Sequence, residues 1–294
     1  MTDAPQRPTP GERWTQEELA RLRAARYSAS AIVAFLAASH RRAGDVRARR
    51  PELARQAHAW TATGAGAWAC LAAGGVEPFR RLLGRGLAWW LFAAQMLDWH
   101  LGMVETCDGR PRRLGAADAL TLARAWLVPL IADDPRAALL LLAAATDLLD
   151  GAAARAQEPT RAGRDFDGIV DTAIIAAALA GAHRRRSLSR PAIALELGRL
   201  GAGAAYATGS YFARATRPSP GLSRAARLVT PLRLAGLVSG SLGRRSAANR
   251  LVTVGSLASV ALAAGPWARV AAQPLAQRAG RRGRTSSGRS LLGT

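Results

Sequence analysis

The chain has 294 residues, 49% of them hydrophobic, and its 41 basic residues against 20 acidic ones give a formal net charge of +21. Every basic residue is an arginine. A chain that is both apolar and strongly basic is typical of membrane proteins with basic cytoplasmic edges or of nucleic-acid binders. The two cysteines, Cys70 and Cys107, fit neither a metal-binding spacing nor a disulfide framework, which argues against folds held by zinc or by disulfides.

Residues 1–57 differ from the rest of the chain in being polar and rich in arginine, and we treat them as a basic leader. The stretch TQEELARLRAARYSASAIVAFLAASHRR within it predicts helix. Two interpretations stay open for this stretch. It either lies on the anionic cytoplasmic surface of a membrane or forms a partly ordered soluble leader.

Apolar segments recur from residue 58 onward, and several approach the roughly 20 residues that cross a bilayer as a helix. They cover residues 58–76, 86–106, 117–132, 136–150, 166–182, 191–213, 229–242 and 249–270. We divide the chain into the leader, N-terminal apolar helices at 58–110, a membrane core at 111–272 and a basic disordered tail at 273–294.

The repeated segments predict an all-α fold, a polytopic transmembrane bundle of about six core helices with one or two extra N-terminal apolar helices. An alanine-rich soluble helical bundle is the alternative. A nucleic-acid-binding protein would explain the net charge but would leave the apolar segments unexplained. Arginine-rich loops at 151–165 and 214–232 place those loops in the cytoplasm, whereas HRRRSLSR at 183–190 falls on the opposite side of an alternating topology.

Three ionisable residues interrupt the second apolar segment, in the sequence QMLDWHLGMVE. They are Asp98, His100 and Glu105. Ionisable groups inside a membrane are functional candidates. Because these three lie toward one end of the segment, we favour a buried structural pair or side chains that reach the interface.

Four aspartates at the edges of apolar segments carry the strongest chemical signal, in the stretch DLLDGAAARAQEPTRAGRDFDGIVDT. We expect one helix to end near Asp150 and the next to begin near Asp165, so that Asp147 and Asp150 share one face and Asp167 and Asp171 share another. An intervening glycine-bearing loop would bring the two pairs together. Four carboxylates at close range repel one another, and one or two divalent cations relieve that repulsion.

The type of ligand indicates the type of metal. Oxygen ligands from aspartates favour hard ions such as magnesium, manganese or calcium, and no cysteine or histidine cluster points to zinc. A two-metal carboxylate site suits displacement at phosphorus, because the ions neutralise the pyrophosphate and align the attacking and leaving oxygens.

The same stretch resembles the signature of the CDP-alcohol phosphatidyltransferases, D-x2-D-G-x2-A-R followed by a spacer and G-x3-D-x3-D. The matching positions are Asp147, Asp150, Gly151, Ala154, Arg155, Gly163, Asp167 and Asp171. The spacer here has seven residues, one fewer than the usual pattern. Upstream, LGAADALTLARAWLVPLI resembles the first core helix of the family, with Asp118 where asparagine is more usual, and the resemblance extends over residues 114–272.

The resemblance implies a role for each signature residue. Asp147, Asp150, Asp167 and Asp171 would bind magnesium or manganese, and Asp171 would also act as the general base. The remaining four would hold the cytidine diphosphate of the donor, namely Gly151, Ala154, Arg155 and Gly163.

The implied reaction transfers a phosphatidyl-type group from a CDP-linked lipid alcohol, such as CDP-diacylglycerol, to a small alcohol or polyol phosphate, and it releases CMP in phospholipid biosynthesis. The alternative is a catalytically altered or non-enzymatic relative in the membrane. We expect a multi-pass protein of the inner or plasma membrane whose active site faces the cytoplasm and which binds no nucleic acid. Its oligomeric state stays open, a homodimer included.

Overall fold

The computed structural model describes residues 9–106, 108–157, 160–213 and 228–264, without the side chains of residues 154, 155 and 157. Over these ranges the regular secondary structure is helical and contains no strand. Within these ranges, Glu105 and Pro111 form an isolated antiparallel β-bridge. The all-α prediction is therefore confirmed for this part of the chain.

The helices follow one another with short connections. The N-terminal half contains α1 (Pro10–Ala24), α2 (Ala29–Arg49), α3 (Pro51–Ala73), α4 (Glu77–Arg81), α5 (Leu83–His100) and a 3₁₀ turn at Leu101–Met103. The C-terminal half contains α6 (Ala116–Asp133), α7 (Ala137–Gln157), α8 (Arg161–Arg185), α9 (Arg190–Thr208), a π-helical turn at Gly209–Ala213, α10 (Thr230–Ser241) and α11 (Arg245–Ala264).

Each apolar segment predicted from the sequence overlaps one of these helices, from α3 for the first segment to α11 for the last, and residues 265–270 of the last segment lie outside the described ranges. The boundaries around the aspartates differ from the prediction. Helix α7 continues to Gln157, and α8 already begins at Arg161, so most of the expected loop at 151–165 is helical. Because alanine has the highest helix propensity, the alanine-rich sequence GAAARAQ extends α7 beyond Asp150. The Thr160 side chain caps α8 by accepting a hydrogen bond from Gly163 N.

Helix α6 lies at the centre of the aspartate region, with α7 and α8 packed along it. Two of its side chains, Ala125 and Ile131, have no solvent exposure. Val170 and Ala178 of α8 are each 1% exposed; Val170 belongs to the same core cluster as Ala125, and Ala178 to the same one as Ile131. This packing fixes the relative positions of the three helices, because well-packed interiors leave little room for side chains to shift.

The N-terminal helices form part of the same packed body. Trp68 of α3 is 1% exposed and meets Phe79 and Trp126 edge-on, with ring centroids 5.0 Å and 5.2 Å away. Gly86 of α5 permits this contact, because a Cβ atom there would lie 2.2 Å from the Trp68 ring. The aromatic cluster therefore ties α3 and α4 to α6, and Gly86 lets α5 pack against it.

Two helices of the described ranges, α8 and α11, have both the length and the apolar composition needed to cross a membrane. Core helices of soluble proteins can meet the same criterion, so the predicted number of crossings is not confirmed. The proposed domain boundaries remain predictions. The expected disordered tail at 273–294 lies outside the described residues, as does Cys107, whereas Cys70 is an exposed free thiol.

Candidate active site

Four carboxylates from two helices converge on one side of α6. Asp147 and Asp150 lie one turn apart on α7, and Asp167 and Asp171 lie one turn apart on α8. Since both helices pack against α6, the two pairs face a common point. The structure therefore brings together all four aspartates that the sequence analysis predicted to share a site.

The guanidinium of Arg124, from α6, occupies that common point. Its Nη1 atom lies 2.5 Å from Asp147 Oδ1. Its Nη2 atom donates to Asp150 Oδ2 at 3.2 Å and to Asp167, and lies 3.5 Å from Asp171 Oδ1. The arginine side chain is only 1% exposed, so one buried positive charge partly offsets four negative ones.

Asp150 is held more firmly than the other three. Its side chain is 11% exposed, against 51% for Asp147 and 45% for Asp171. Besides the contact with Arg124, Asp150 Oδ2 accepts a hydrogen bond of 2.7 Å from the Thr121 hydroxyl. Two side chains of α6 therefore fix this carboxylate from the buried side.

The other three carboxylates form an arrangement that suits a cation. Asp147, Asp167 and Asp171 each offer an oxygen within 4.8 Å of the others. Carboxylate oxygens are the ligands that magnesium and manganese prefer, and the carboxylates here outnumber the guanidinium. The residues present fit a divalent metal, with Asp147, Asp167 and Asp171 as direct ligand candidates and Asp150 supported by Thr121.

Gly163 marks a close approach between α6 and α8. A Cβ atom at this position would lie 2.8 Å from Asp118 Oδ1 and 2.9 Å from Thr160 Oγ1. Asp118 itself accepts a hydrogen bond of 2.8 Å from Gly115 N and so caps the start of α6. A side chain at position 163 would push apart the first turns of α6 and α8. Local packing therefore explains why the signature has a glycine at this position.

The remaining predicted donor-binding residues lie in the last two turns of α7. Gly151 follows Asp150 directly and lines the cavity described below. Ala154 and Arg155 belong to the helical backbone, but their side chains lie outside what the structure describes. The predicted contact between Arg155 and a pyrophosphate therefore stays a prediction.

A large cavity of about 1990 Å³ opens over the aspartates. The four aspartates and Arg124 line it, together with residues of α9 and α10. Side chains of α1 close another side, and they are Glu12, Trp14, Thr15, Gln16 and Leu19. The leader, which the sequence analysis separated from the membrane core, therefore contributes directly to the enclosure of the site.

Contacts at both ends hold α1 across the cavity. At its start, the Thr9 hydroxyl donates to Glu105, and Glu12 forms an ion pair with Arg161, the first residue of α8. At its end, Arg23 and Tyr27 donate to the carbonyl of Phe212 at 3.0 Å and 2.9 Å. Helix α1 therefore links the start of α8 to the turn that follows α9.

The ionisable residues of the second apolar segment have structural partners. Asp98 forms an ion pair with Arg47 at 2.5 Å, in agreement with the structural pair that we favoured. Besides its contact with Thr9, Glu105 accepts a hydrogen bond at its backbone carbonyl from Arg161 N, at 3.2 Å.

The connection between α2 and α3 is held by Arg50. Its guanidinium donates to the Val104 carbonyl at 3.1 Å and to the Arg112 carbonyl. Burial lowers the pKa of Arg50, and the nearby charge of Glu105 partly opposes that effect.

A second buried polar cluster joins α9, α10 and α11. Glu196, 3% exposed, accepts hydrogen bonds from Arg199, from Arg233 Nη1 at 2.9 Å and from the Ser256 hydroxyl at 2.6 Å. Glu196 and Arg233 also line the cavity. Because each charge has a partner, the cluster can bind the three helices together without leaving an isolated buried ion.

The sequence analysis assigned no role to Arg124 or to Glu196. An arginine inside an apolar helix is itself a signal of function, and Arg124 lies three residues after Thr121 in the segment that resembled the first core helix. Helical spacing puts these two side chains on one face. No local pattern pairs Glu196 with Ser256, because 60 residues separate them.

Residues 114–216 match the family model described as CDP-alcohol phosphatidyltransferase. The match confirms the resemblance over this part of the chain, which contains the four aspartates, Arg124 and Glu196. It does not extend to residue 272 or include the N-terminal helices. Comparison with curated proteins and with solved structures finds no match.

Proposed function

We propose, taking residues 114–216 as a CDP-alcohol phosphatidyltransferase region, that the protein transfers a phosphatidyl-type group from a CDP-linked lipid alcohol to a small hydroxyl acceptor. The family match supports the general reaction, in which a phosphoalcohol group leaves a CDP-alcohol. The observation that carries the proposal is the convergence of Asp147, Asp150, Asp167 and Asp171 around Arg124 at the wall of one cavity.

In the proposed reaction, the acceptor hydroxyl attacks the phosphorus that bears the lipid alcohol. A new phosphorus–oxygen bond forms, the bond between that phosphorus and the bridging oxygen of the pyrophosphate breaks, and CMP leaves with the bridging oxygen. Asp171 takes the proton of the hydroxyl. A bound divalent metal supplies charge neutralisation at the pyrophosphate.

The residues of this chain have separate tasks in the proposal. Asp147, Asp150 and Asp167 would hold the metal together with Asp171, while Thr121 keeps Asp150 in place. Gly151 and Gly163 allow the donor to approach the helix backbone, and Ala154 and Arg155 complete its site.

Exposed apolar side chains support a bilayer as the surroundings of the protein. On α7, Leu141 and Leu149 are 52% and 58% exposed, and on α11, Val254 and Leu257 are 55% and 54% exposed. Large apolar side chains exposed together on a helix are one mark of a surface that contacts a membrane or a protein. We place the protein in the inner or plasma membrane with the aspartates toward the cytoplasm, where CDP-diacylglycerol is the expected donor.

The test is CMP release by the purified protein in detergent micelles containing CDP-diacylglycerol. Glycerol phosphate, inositol phosphate, a further polyol and a second lipid would be offered in turn as acceptors. We expect release that requires both one of these acceptors and magnesium or manganese, and that stops on addition of a chelator. A folded protein that binds the donor but releases no CMP with any acceptor would identify the non-enzymatic relative instead.

A further inference from the structure

We infer that Arg124 is a built-in counter-cation that competes with the divalent metal for the aspartates and so lowers the metal affinity of the site. The inference rests on the metal site of the proposed function. It assigns a task to a residue that lies outside the aspartate signature. It also predicts a property of the protein that can be measured without any substrate.

The first step is that both cations need the same carboxylates. Arg124 contacts Asp147, Asp167 and Asp171, the three residues whose oxygens lie within 4.8 Å of one another. A metal bound by these oxygens would therefore lie within a few ångströms of the guanidinium. The two positive charges repel, and burial at 1% exposure weakens the screening by water.

The second step is that Arg124 cannot relieve this repulsion by losing its proton. A guanidinium stays charged under all ordinary conditions. The metal must therefore displace the guanidinium from some of its carboxylates. The free energy that this displacement costs makes metal binding weaker.

The third step is that the contacts of the Arg124 guanidinium allow it to be displaced. Its contacts run through Nη1 and Nη2, while Nε is buried and has no hydrogen-bond partner within the described ranges. Asp150 also has a hydrogen bond from Thr121 that does not involve the guanidinium. Helices α7 and α8 can thus remain in place during the exchange of cations.

The experiment measures manganese binding to the full chain in detergent, without donor or acceptor, by equilibrium dialysis or by the electron paramagnetic resonance of free manganese. Arg124→Met removes the charge at similar side-chain length. Arg124→Lys keeps the charge but offers one ammonium group in place of the fork. We expect manganese to bind about threefold more tightly to Arg124→Lys and about tenfold or more tightly to Arg124→Met than to the parent.

Thermal unfolding gives a second measurement on the same proteins. Without metal, the four carboxylates of Arg124→Met repel one another, so its Tm should fall below that of the parent, and added manganese should raise it by more than it raises the parent. If Arg124→Met does not fold, the comparison of Arg124→Lys with the parent decides. Equal or weaker manganese binding in the folded variants would overturn the inference, and so would a parent that binds no manganese.

These outcomes separate the inference from the proposed function. A parent that releases CMP while its variants show unchanged manganese affinity keeps the function and refutes the counter-cation. A parent that releases no CMP while the affinity rises in the expected order keeps the counter-cation and refutes the function.

Discussion

Asp171 is the aspartate of the cluster that Arg124 contacts at the longest distance. Its Oδ1 atom lies 3.5 Å from Arg124 Nη2, whereas Asp147 Oδ1 lies 2.5 Å from Arg124 Nη1. Asp150 in addition accepts a hydrogen bond from the Thr121 hydroxyl. Nearly half of the Asp171 side chain is exposed toward the cavity. A carboxylate that is held this loosely retains lone pairs for a substrate hydroxyl, which suits the role of base.

Replacement of Asp171 by asparagine tests that role. The amide has a similar shape but cannot accept the proton, so at a metal concentration that saturates the variant we expect CMP release to fall by about 100-fold or more while donor binding changes little. Asp165→Asn is the matched control, since Asp165 is an exposed aspartate of the same helix outside the signature. Near-normal turnover in Asp171→Asn would contradict the assignment of the base.

At the scale of single residues, the sequence predicted which aspartates meet but not what lies between them. The spacing of three and four residues places each pair on one helix face. The position of Arg124 depends on how α6 is rotated against α7 and α8, and no local spacing within 114–131 encodes that rotation. Likewise, Asp118 lies close to the backbone of Gly163, and these two residues are 45 positions apart in sequence.

At the scale of helices, the least accurate predictions concerned the ends of α7 and α8. The apolar pattern stops at Asp150, whereas the helix continues to Gln157, because alanine favours helix whether or not a residue is buried. Helix α1 shows a related limit. Its capping box of Thr9 and Glu12 is visible in the sequence, but its anchoring across the cavity depends on partners in α8 and after α9.

The ion pair between Glu12 and Arg161 should hold α1 over the cavity. Arg161 is 5% exposed, so loss of the negative charge leaves a buried cation less well compensated. Glu12→Gln preserves the hydrogen-bonding shape of the capping box and removes the charge alone. We expect α1 to open about 5 to 30 times more often, corresponding to about 1–2 kcal/mol, as measured by the rate of limited proteolysis within α1.

Glu17→Gln provides the control for this experiment, because Glu17 is an exposed glutamate on the same helix. It should leave the cleavage rate close to that of the parent. Equal cleavage rates in both variants would show that the ion pair does not anchor α1 and that the apolar contacts of Leu19 and Leu22 are sufficient.

At the scale of the whole molecule, charge and apolar surface have different consequences. The net charge of +21 would attract the protein to an anionic membrane even without insertion, and that attraction weakens with salt. The exposed leucines and valines of α7 and α11 instead predict contact with the hydrocarbon region. Composition alone cannot separate these two modes, because the same sequence contains both features.

Extraction of membranes separates the two modes directly. If α8, α11 and their neighbours lie within the bilayer, the protein should stay in the pellet after washing with salt at about 1 M and at alkaline pH, since neither treatment removes the hydrophobic contribution to binding. A peripheral and an integral protein of the same membranes serve as controls. Release by salt alone would show that arginines hold the protein at the surface, and the aspartate cavity would then have to receive its lipid donor from outside the bilayer.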